Sequence, residues 1–304
     1  MTERVSQVSR TRGIAGLLLR SLVIGLGYVL ATIAGGALAQ TLGLPPPQMV
    51  RHLDETTTLA TTLLSGFIIG LGLGPLSQRI RVFALGRGIL LFTVIFVVGS
   101  LINVVEALFF TTVPVREQVF GLVTAAVGAA SLAMLLTALF PPASAESGLI
   151  AALRSHLRQR LWLDWTWRLF LAGLLYVPIY FLFGVLVSPL VLPYYNDPSL
   201  GLELVVPGPE VILPLEVGRG LLYAVTLFPL AAALHATRQS LTLWLWVTVA
   251  VLGAITPMLQ VGWWPLPLRL THGLEITADA FFQALVVAWL LGRPPAKGRS
   301  THLM

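Results

Sequence analysis

Three ionisable residues, His272, Glu275 and Asp279, lie in one apolar stretch near the end of the chain, at a spacing that lets them act together. Successive residues of an α-helix are about 100° apart, so His272 and Asp279 are roughly 20° apart and Glu275 is roughly 60° from His272. The three side chains therefore share one helix face. At about 1.5 Å per residue, Asp279 lies roughly 15 Å from the nearer helix end, which is close to the middle of a bilayer.

Polar residues in an earlier apolar stretch are expected to meet this face. Asn103 and Glu106 are about one turn apart, and Glu106 falls at a depth similar to that of Glu275. Arginines near the ends of other stretches are expected at the same mouth. We therefore predict one polar site open to the external side, with the candidate residues His272, Glu275, Asp279, Glu106, Asn103, Arg116, Arg219 and Arg269.

Ionisable groups inside a bilayer are costly, which makes this polar site a candidate for function. A carboxylate at mid-depth carries a proton, binds a cation or pairs with neighbouring polar groups, and in the last case the site only ties helices together. A Glu–His pair three residues apart, such as Glu275 and His272, also occurs in helical metal–carboxylate sites. No second such pair lies within an apolar stretch, so no metal site is predicted.

The composition is that of a membrane protein. Of 304 residues, 56% are hydrophobic and only 11% are charged, against about 25% in a typical soluble domain. So few charges cannot cover the surface of a soluble domain of this size, which excludes a soluble enzyme, a disordered chain and a nucleic-acid-binding protein. The chain has no cysteine, which excludes disulfides, thiolate metal sites and cysteine nucleophiles.

Eight apolar stretches are long enough to cross a bilayer as helices, which takes roughly 20 residues each. They cover about 14–39, 58–76, 86–111, 119–140, 168–191, 219–237, 241–261 and 270–292. If the spans alternate in direction, 15 of the 19 Lys and Arg residues fall on the side that also holds both termini. Because positive charge collects on the cytoplasmic side, we expect an integral protein of an inner or plasma-type membrane with both termini in the cytoplasm.

Similarity between the first and fifth stretches predicts an internal repeat. At an offset of 148 residues, Gly25 and Tyr28 recur as Gly173 and Tyr176. Since each unit would contain four helices, the two copies would have the same orientation in the membrane. The predicted parts are a first four-helix repeat with a cytoplasmic N-terminal arm (1–140), a cytoplasmic amphipathic connector (141–167), a second four-helix repeat (168–292) and a cytoplasmic tail (293–304).

Two connections carry further signals. Ser147–Trp162 places arginines among leucines, which predicts a helix lying on the membrane surface. In the external segment 192–218, Leu202–Val206 and Glu210–Leu215 are strand-like runs around a Pro-Gly-Pro turn, which predicts a small β-hairpin. The predicted fold is an all-α polytopic membrane protein with eight transmembrane helices, an interfacial helix and a small external hairpin-like loop.

Three functions fit these patterns. The first is a small-solute, lipid or ion transporter or permeation protein that uses the polar site. The second is a non-catalytic membrane subunit or assembly factor, in which the polar site is structural. The third is an intramembrane enzyme acting at the external leaflet, with Glu275 or Glu106 as acid or base, His272 as ligand or proton shuttle, and an arginine for an anionic group. The expected partners are the lipid bilayer and a small-molecule or ion substrate, without nucleic acid; the residues identify no cofactor and no protein partner.

The predicted orientation is testable because the chain contains no native cysteine. In intact cells, a membrane-impermeant thiol reagent should label a Ser199→Cys variant and should leave a Ser147→Cys variant unlabelled until the cells are permeabilised. The reverse labelling pattern would refute the orientation.

Overall fold

The computed structural model describes residues 2–48, 54–195, 197, 202 and 204–293, with side chains from residue 13 onward. Ser199, Glu203 and the predicted tail after residue 293 lie outside the described residues. Within the described part, every regular element is a helix, and extended residues form only isolated bridges.

The described helices follow one another with short connections. They are α1 (Thr2–Thr41), α2 (Glu55–Ser77), α3 (Ala84–Phe96), α4 (Ile102–Phe110), α5 (Val115–Leu139), α6 (Leu149–Leu157), α7 (Trp162–Leu174), α8 (Tyr176–Tyr195), α9 (Pro209–Ala233), α10 (Arg238–Val249), α11 (Thr256–Gln260) and α12 (Leu266–Leu291). The π-helical segments Val97–Leu101 and Ala250–Ile255 join α3 to α4 and α10 to α11.

Eight helical runs within the described residues are long and apolar enough to cross a membrane, as predicted. In chain order, these spans 1 to 8 are Gly13–Thr41, Glu55–Ser77, Ala84–Phe110, Val115–Leu139, Trp162–Tyr195, Pro209–Ala233, Arg238–Gln260 and Leu266–Leu291. Each exceeds the roughly 20 residues that a bilayer core requires. The chain is therefore an integral membrane protein with a lipid environment.

Glycine lets span 1 and span 2 meet backbone to backbone. A Cβ atom placed on Gly66 would lie 2.8 Å from the Gly25 Cα and from the Tyr28 Cβ, closer than unbonded carbon atoms approach. Small residues permit such contacts between membrane helices, where dispersion forces replace the hydrophobic effect as the source of attraction. Span 1 packs closely on span 4 as well, so it is held on two sides.

Span 5 and span 6 meet in the same manner. A Cβ atom placed on Gly220 would collide with the Gly173 carbonyl oxygen and would lie 2.6 Å from the Tyr176 Cβ. Both obstacles are main-chain or Cβ atoms, which cannot move without shifting a whole helix. Span 5 also packs on span 8, through α8 and α12.

The two π-helical segments pack on each other. The Cβ position of Gly99, in the first segment, is 3.7 Å from the Leu252 Cβ and carbonyl oxygen, in the second. A π-helical turn holds one residue more than the matching α-helical turn, and such turns are frequent at functional sites. Span 3 also contacts span 6, and span 7 also contacts span 2, so these two spans join the first half of the chain to the second.

The amphipathic connector forms the short helix α6, which is anchored by one buried histidine. A ring nitrogen of His156 lies 2.8 Å from the Leu291 carbonyl oxygen at the end of span 8, and the ring contacts Trp165 and Phe228. Burial lowers the pKa of His156, so the uncharged ring is favoured at neutral pH. The connector is therefore tied to the second half of the bundle.

The predicted β-hairpin is wrong. Glu210–Leu215 belongs to α9, which begins at Pro209 with Glu210 in its first turn. Proline at the first helical position supplies the required φ angle, and an acidic first turn favours the positive helix end. These two signals outweigh the β-branched run that follows them. Leu204 forms only an isolated antiparallel bridge with Thr111.

Replacing Gly220 with alanine should destabilise the bundle, because the added methyl group meets main-chain atoms of span 5. We expect a loss of about 1–3 kcal/mol in the free energy of unfolding, the usual cost of overpacking. Gly218→Ala is the matched control in the same helix, since its Cβ would have no atom within 4 Å. This control should be neutral or up to about 1 kcal/mol stabilising. Unfolding in detergent measures both, and equal effects of the two variants would contradict the proposed contact.

Candidate functional site

A cavity of about 260 Å³ lies between spans 3, 5, 6, 7 and 8. We call it the polar cavity. Thr111, Leu204 and Trp264 line it at the end of the bundle that is predicted to be external. Six of the eight predicted site residues line it: Asn103, Glu106, Arg219, His272, Glu275 and Asp279.

The other two predicted site residues, Arg116 and Arg269, do not line the polar cavity. Arg116 is exposed and donates a hydrogen bond to the Gly43 carbonyl oxygen at 2.9 Å, in the connection that follows span 1. Arg269 lies in the first turn of α12, three residues before His272. Similar predicted positions relative to the helix ends placed both residues in the site, but position along a helix does not determine which way a side chain points.

Arg219, in span 6, forms ion pairs with a carboxylate of span 3 and with a carboxylate of its own span. Its Nη2 lies 2.7 Å from Glu106 Oε2, and its Nη1 lies 2.8 and 2.9 Å from the two oxygens of Glu216. The guanidinium also stands 5.7 Å from the ring centre of Tyr176 and 5.9 Å from that of Tyr180. Arg219 is only 5% exposed, and charge-assisted hydrogen bonds and aromatic faces replace its hydration shell.

Glu216 is a site residue that the sequence patterns did not single out. It is fully buried and three residues before Arg219 in α9, so both side chains lie on one helix face. The strand-like interpretation of Glu210–Leu215 moved the predicted start of span 6 past Glu216 and hid this relation. The acidic residue three positions before a buried arginine was the signal that could have identified it.

The polar face of α12 points into the protein. His272 Nδ1 lies 2.9 Å from Glu275 Oε2, and its other ring nitrogen lies 3.3 Å from the Tyr195 hydroxyl. Asp279, near the middle of α12, is 4% exposed, and its Oδ1 has no hydrogen-bond partner among the described residues. A buried carboxylate oxygen without a partner is costly unless a proton or a ligand meets it.

The charges around the polar cavity do not balance. Four carboxylates, those of Glu106, Glu216, Glu275 and Asp279, meet one guanidinium, which leaves three negative charges in excess when all are ionised and His272 is neutral. Such an excess is strongly unfavourable at membrane depth. The site becomes neutral only when it takes up protons or a positively charged ligand.

The donor groups do not assemble as a metal site within the part of the chain that the structure describes, where no three His, Asp or Glu residues are placed to hold an ion. Arg219 engages three carboxylate oxygens of Glu106 and Glu216, and His272 engages one oxygen of Glu275. The arrangement can exchange protons along carboxylates and histidine, and it can pair with an external cation.

A second cavity, of about 680 Å³, lies in the first half of the bundle. Its described lining has hydroxyl and amide groups but no charged side chain. Gln260 Nε2 donates a hydrogen bond to the Tyr28 hydroxyl there at 3.2 Å. Asn103, Pro257 and Val261 line both cavities, so spans 3 and 7 form the wall between them.

No protein-family model, no curated protein and no solved structure matches this chain. The function is therefore inferred from the site itself.

Removing the guanidinium of Arg219 should strongly destabilise the protein, because Glu106 and Glu216 would be left without their cation. For Arg219→Gln we expect a loss of about 3–5 kcal/mol in the free energy of unfolding, the usual cost of breaking a buried ion pair. The triple variant that adds Glu106→Gln and Glu216→Gln should recover much of the lost free energy of unfolding.

Arg116→Gln is the control for this experiment, since it removes an exposed guanidinium with one hydrogen bond to a loop carbonyl. Its effect should stay within about 0.5 kcal/mol. Thermal unfolding in detergent gives the comparison. Similar losses for Arg219→Gln and Arg116→Gln would show that the predicted charge network does not stabilise the bundle.

Proposed function

We propose that this chain is a membrane transporter in which the polar cavity binds a small solute that enters from the external side. The observation that carries the proposal is the excess of carboxylates in a cavity between membrane spans, with Asp279 Oδ1, near the middle of α12, unpartnered among the described residues. A site of this charge has to exchange protons or cations, and intramembrane carboxylates that do so mark substrate and proton pathways.

The proposed entrance follows from the distribution of positive charge along the chain. The polar cavity reaches the connections at Thr111, Leu204 and Trp264, which the excess of Lys and Arg in the other connections assigns to the external side. Both termini are then cytoplasmic. The labelling of Ser147→Cys and Ser199→Cys tests this part independently.

We also propose that the two halves are parallel repeats, as in several transporter folds. Gly66 contacts Gly25 and Tyr28, and Gly220 contacts Gly173 and Tyr176, which stand 148 residues after Gly25 and Tyr28. Spans 3 and 7, the third span of each half, both contain a π-helical segment. These paired features support a duplication in which spans 3 and 7 exchange contacts with the opposite half.

Two features favour transport over a purely structural role for the polar site. Asp279 is the one carboxylate of the four with a buried oxygen, Oδ1, that has no partner among the described groups, and an unmet carboxylate oxygen is more costly than an unmet neutral group. The wall between the two cavities also contains two π-helical segments, which are rare irregularities in helices and are frequent at functional sites. A wall of this kind is suited to rearrangement between two cavities.

Transport should depend on the carboxylate of Asp279. In proteoliposomes, we expect charge-coupled flux of a solute from a panel of amines, amino acids, sugars and inorganic cations, measured as current on a solid-supported membrane. Asp279→Asn should fold with unchanged thermal stability or better, since the amide keeps the shape and removes a buried charge, and should reduce that flux at least about tenfold.

Ser188→Ala is the control variant, because Ser188 is exposed on the same half of the bundle and its hydroxyl bonds only the Val185 carbonyl oxygen of its own helix. Its flux should equal that of the wild type. Flux that survives Asp279→Asn, or no flux of any panel member by a wild-type protein with a cooperative unfolding transition, would contradict transport and favour the structural-subunit interpretation.

A further inference from the structure

We infer that the polar cavity is selective for a small organic ammonium ion, bound between the Asp279 carboxylate and a wall of aromatic rings. This inference rests on the proposed function, since it names the class of solute that the same site takes. It depends on three independent observations: the free carboxylate oxygen, the aromatic lining and the size of the cavity.

The first observation is that only one carboxylate in the charge excess has an oxygen both buried and unpartnered. Arg219 pairs with Glu106 and Glu216, and His272 pairs with Glu275. Asp279 lines the polar cavity and is only 4% exposed. Its Oδ1 has no partner in the described part of the molecule. A single positive charge is the ligand that this oxygen lacks.

The second observation is the aromatic character of the wall. Tyr176, Tyr180, Tyr195, Trp264 and Phe110 line the polar cavity. Aromatic faces attract ammonium and guanidinium groups, and desolvated contacts of this kind contribute about 2 kcal/mol. Arg219 already stands over the rings of Tyr176 and Tyr180, so cations are stabilised by rings within this same site.

An inorganic cation fits this lining less well. Ca²⁺ takes six to eight oxygen ligands and Mg²⁺ takes six, as a general rule. Within the described residues, no three acidic or histidine side chains are placed around a common point, and Asp279 shares the cavity lining with aromatic and apolar side chains. An ammonium ion with methyl or methylene groups needs one carboxylate and an apolar, aromatic surround, which is what the cavity supplies.

The third observation is size. At about 260 Å³, the polar cavity is smaller than the roughly 300 Å³ at which cavities for drug-sized ligands begin. It suits a molecule of a few carbon atoms. Anions are excluded by the excess of carboxylates, and a neutral molecule of the same shape would leave the charge of Asp279 uncompensated.

The decisive experiment compares two probes that differ only in charge, with the wild-type protein in nanodiscs of neutral lipid. Choline and 3,3-dimethyl-1-butanol have the same shape, but a quaternary nitrogen in the first is a carbon atom in the second. By calorimetric titration, choline or the smaller methylammonium should bind at least about tenfold more tightly than the neutral alcohol. Because the wild type alone is used, this result does not depend on the folding of any variant.

Two variants then locate the bound cation. Asp279→Asn should weaken choline binding at least about tenfold, and Trp264→Leu should weaken it about threefold to thirtyfold, the range expected for one lost cation–π contact. Ser188→Ala should bind as the wild type does. Equal binding of the charged and neutral probes, no binding of either ammonium probe, or competition by Ca²⁺ at lower concentration than by choline would overturn the inference.

The outcomes also separate this inference from the proposed function. Ammonium binding that depends on Asp279, with no flux in proteoliposomes, would overturn transport and keep the ammonium site. Flux of a sugar, an acidic amino acid or protons alone, with no ammonium binding, would overturn the ammonium site and keep transport.

Discussion

The buried charge of Arg219 is the constraint on which the arrangement of this bundle depends. A guanidinium between membrane spans is tolerated only where carboxylates and aromatic faces replace water. Glu106 provides one carboxylate from span 3 and Glu216 provides another from span 6. The guanidinium also stands over the rings of two tyrosines of span 5. Spans 3, 5 and 6 are thereby held in one geometry. The guanidinium of Arg219 is occupied in this role, and no other arginine in the described part of the chain pairs with Glu275 or Asp279.

Length, hydropathy and helical phase were sufficient to predict much of this arrangement. Eight spans follow from apolar stretches of the required length, and the inward direction of the α12 face follows from the 100° step between residues. The same arithmetic cannot tell which helices are neighbours. It therefore could not separate Arg219, which enters the polar cavity, from Arg116, which turns to a loop carbonyl.

The hairpin error shows where local patterns compete. Val211, Ile212 and Leu213 are typical of a strand, but Pro209 and Glu210 before them begin a helix. The membrane environment reinforces this helix start, because a membrane span satisfies every backbone hydrogen bond internally when it stays helical. The error had a chemical consequence, since it placed Glu216 in a loop and removed the partner of Arg219 from the predicted site.

The proposed duplication gives the two cavities different chemistry at matching places. Gly220 stands 154 residues after Gly66. If these two glycines correspond, then Thr62 and Ser65 occupy the positions of Glu216 and Arg219. The first half thus keeps the tight helix contact and has no ion pair at that place. Thr62 lines the larger cavity, so a hydroxyl group stands there at the position that corresponds to Glu216. One half of the bundle is specialised for charge and the other for neutral polar groups.

The π-helical segment of span 3 has a consequence for insertions and deletions. Val97–Leu101 absorbs one residue that a regular α-helix would not hold, and Glu106 lies just beyond it. Loss of one residue inside this segment would restore a regular helix while leaving Glu106 aimed at Arg219. Loss of one residue between the segment and Glu106 would turn that carboxylate by about 100° and withdraw it from the guanidinium. A one-residue deletion should therefore be tolerated within the five residues Val97–Leu101 of span 3 and not between this segment and Glu106.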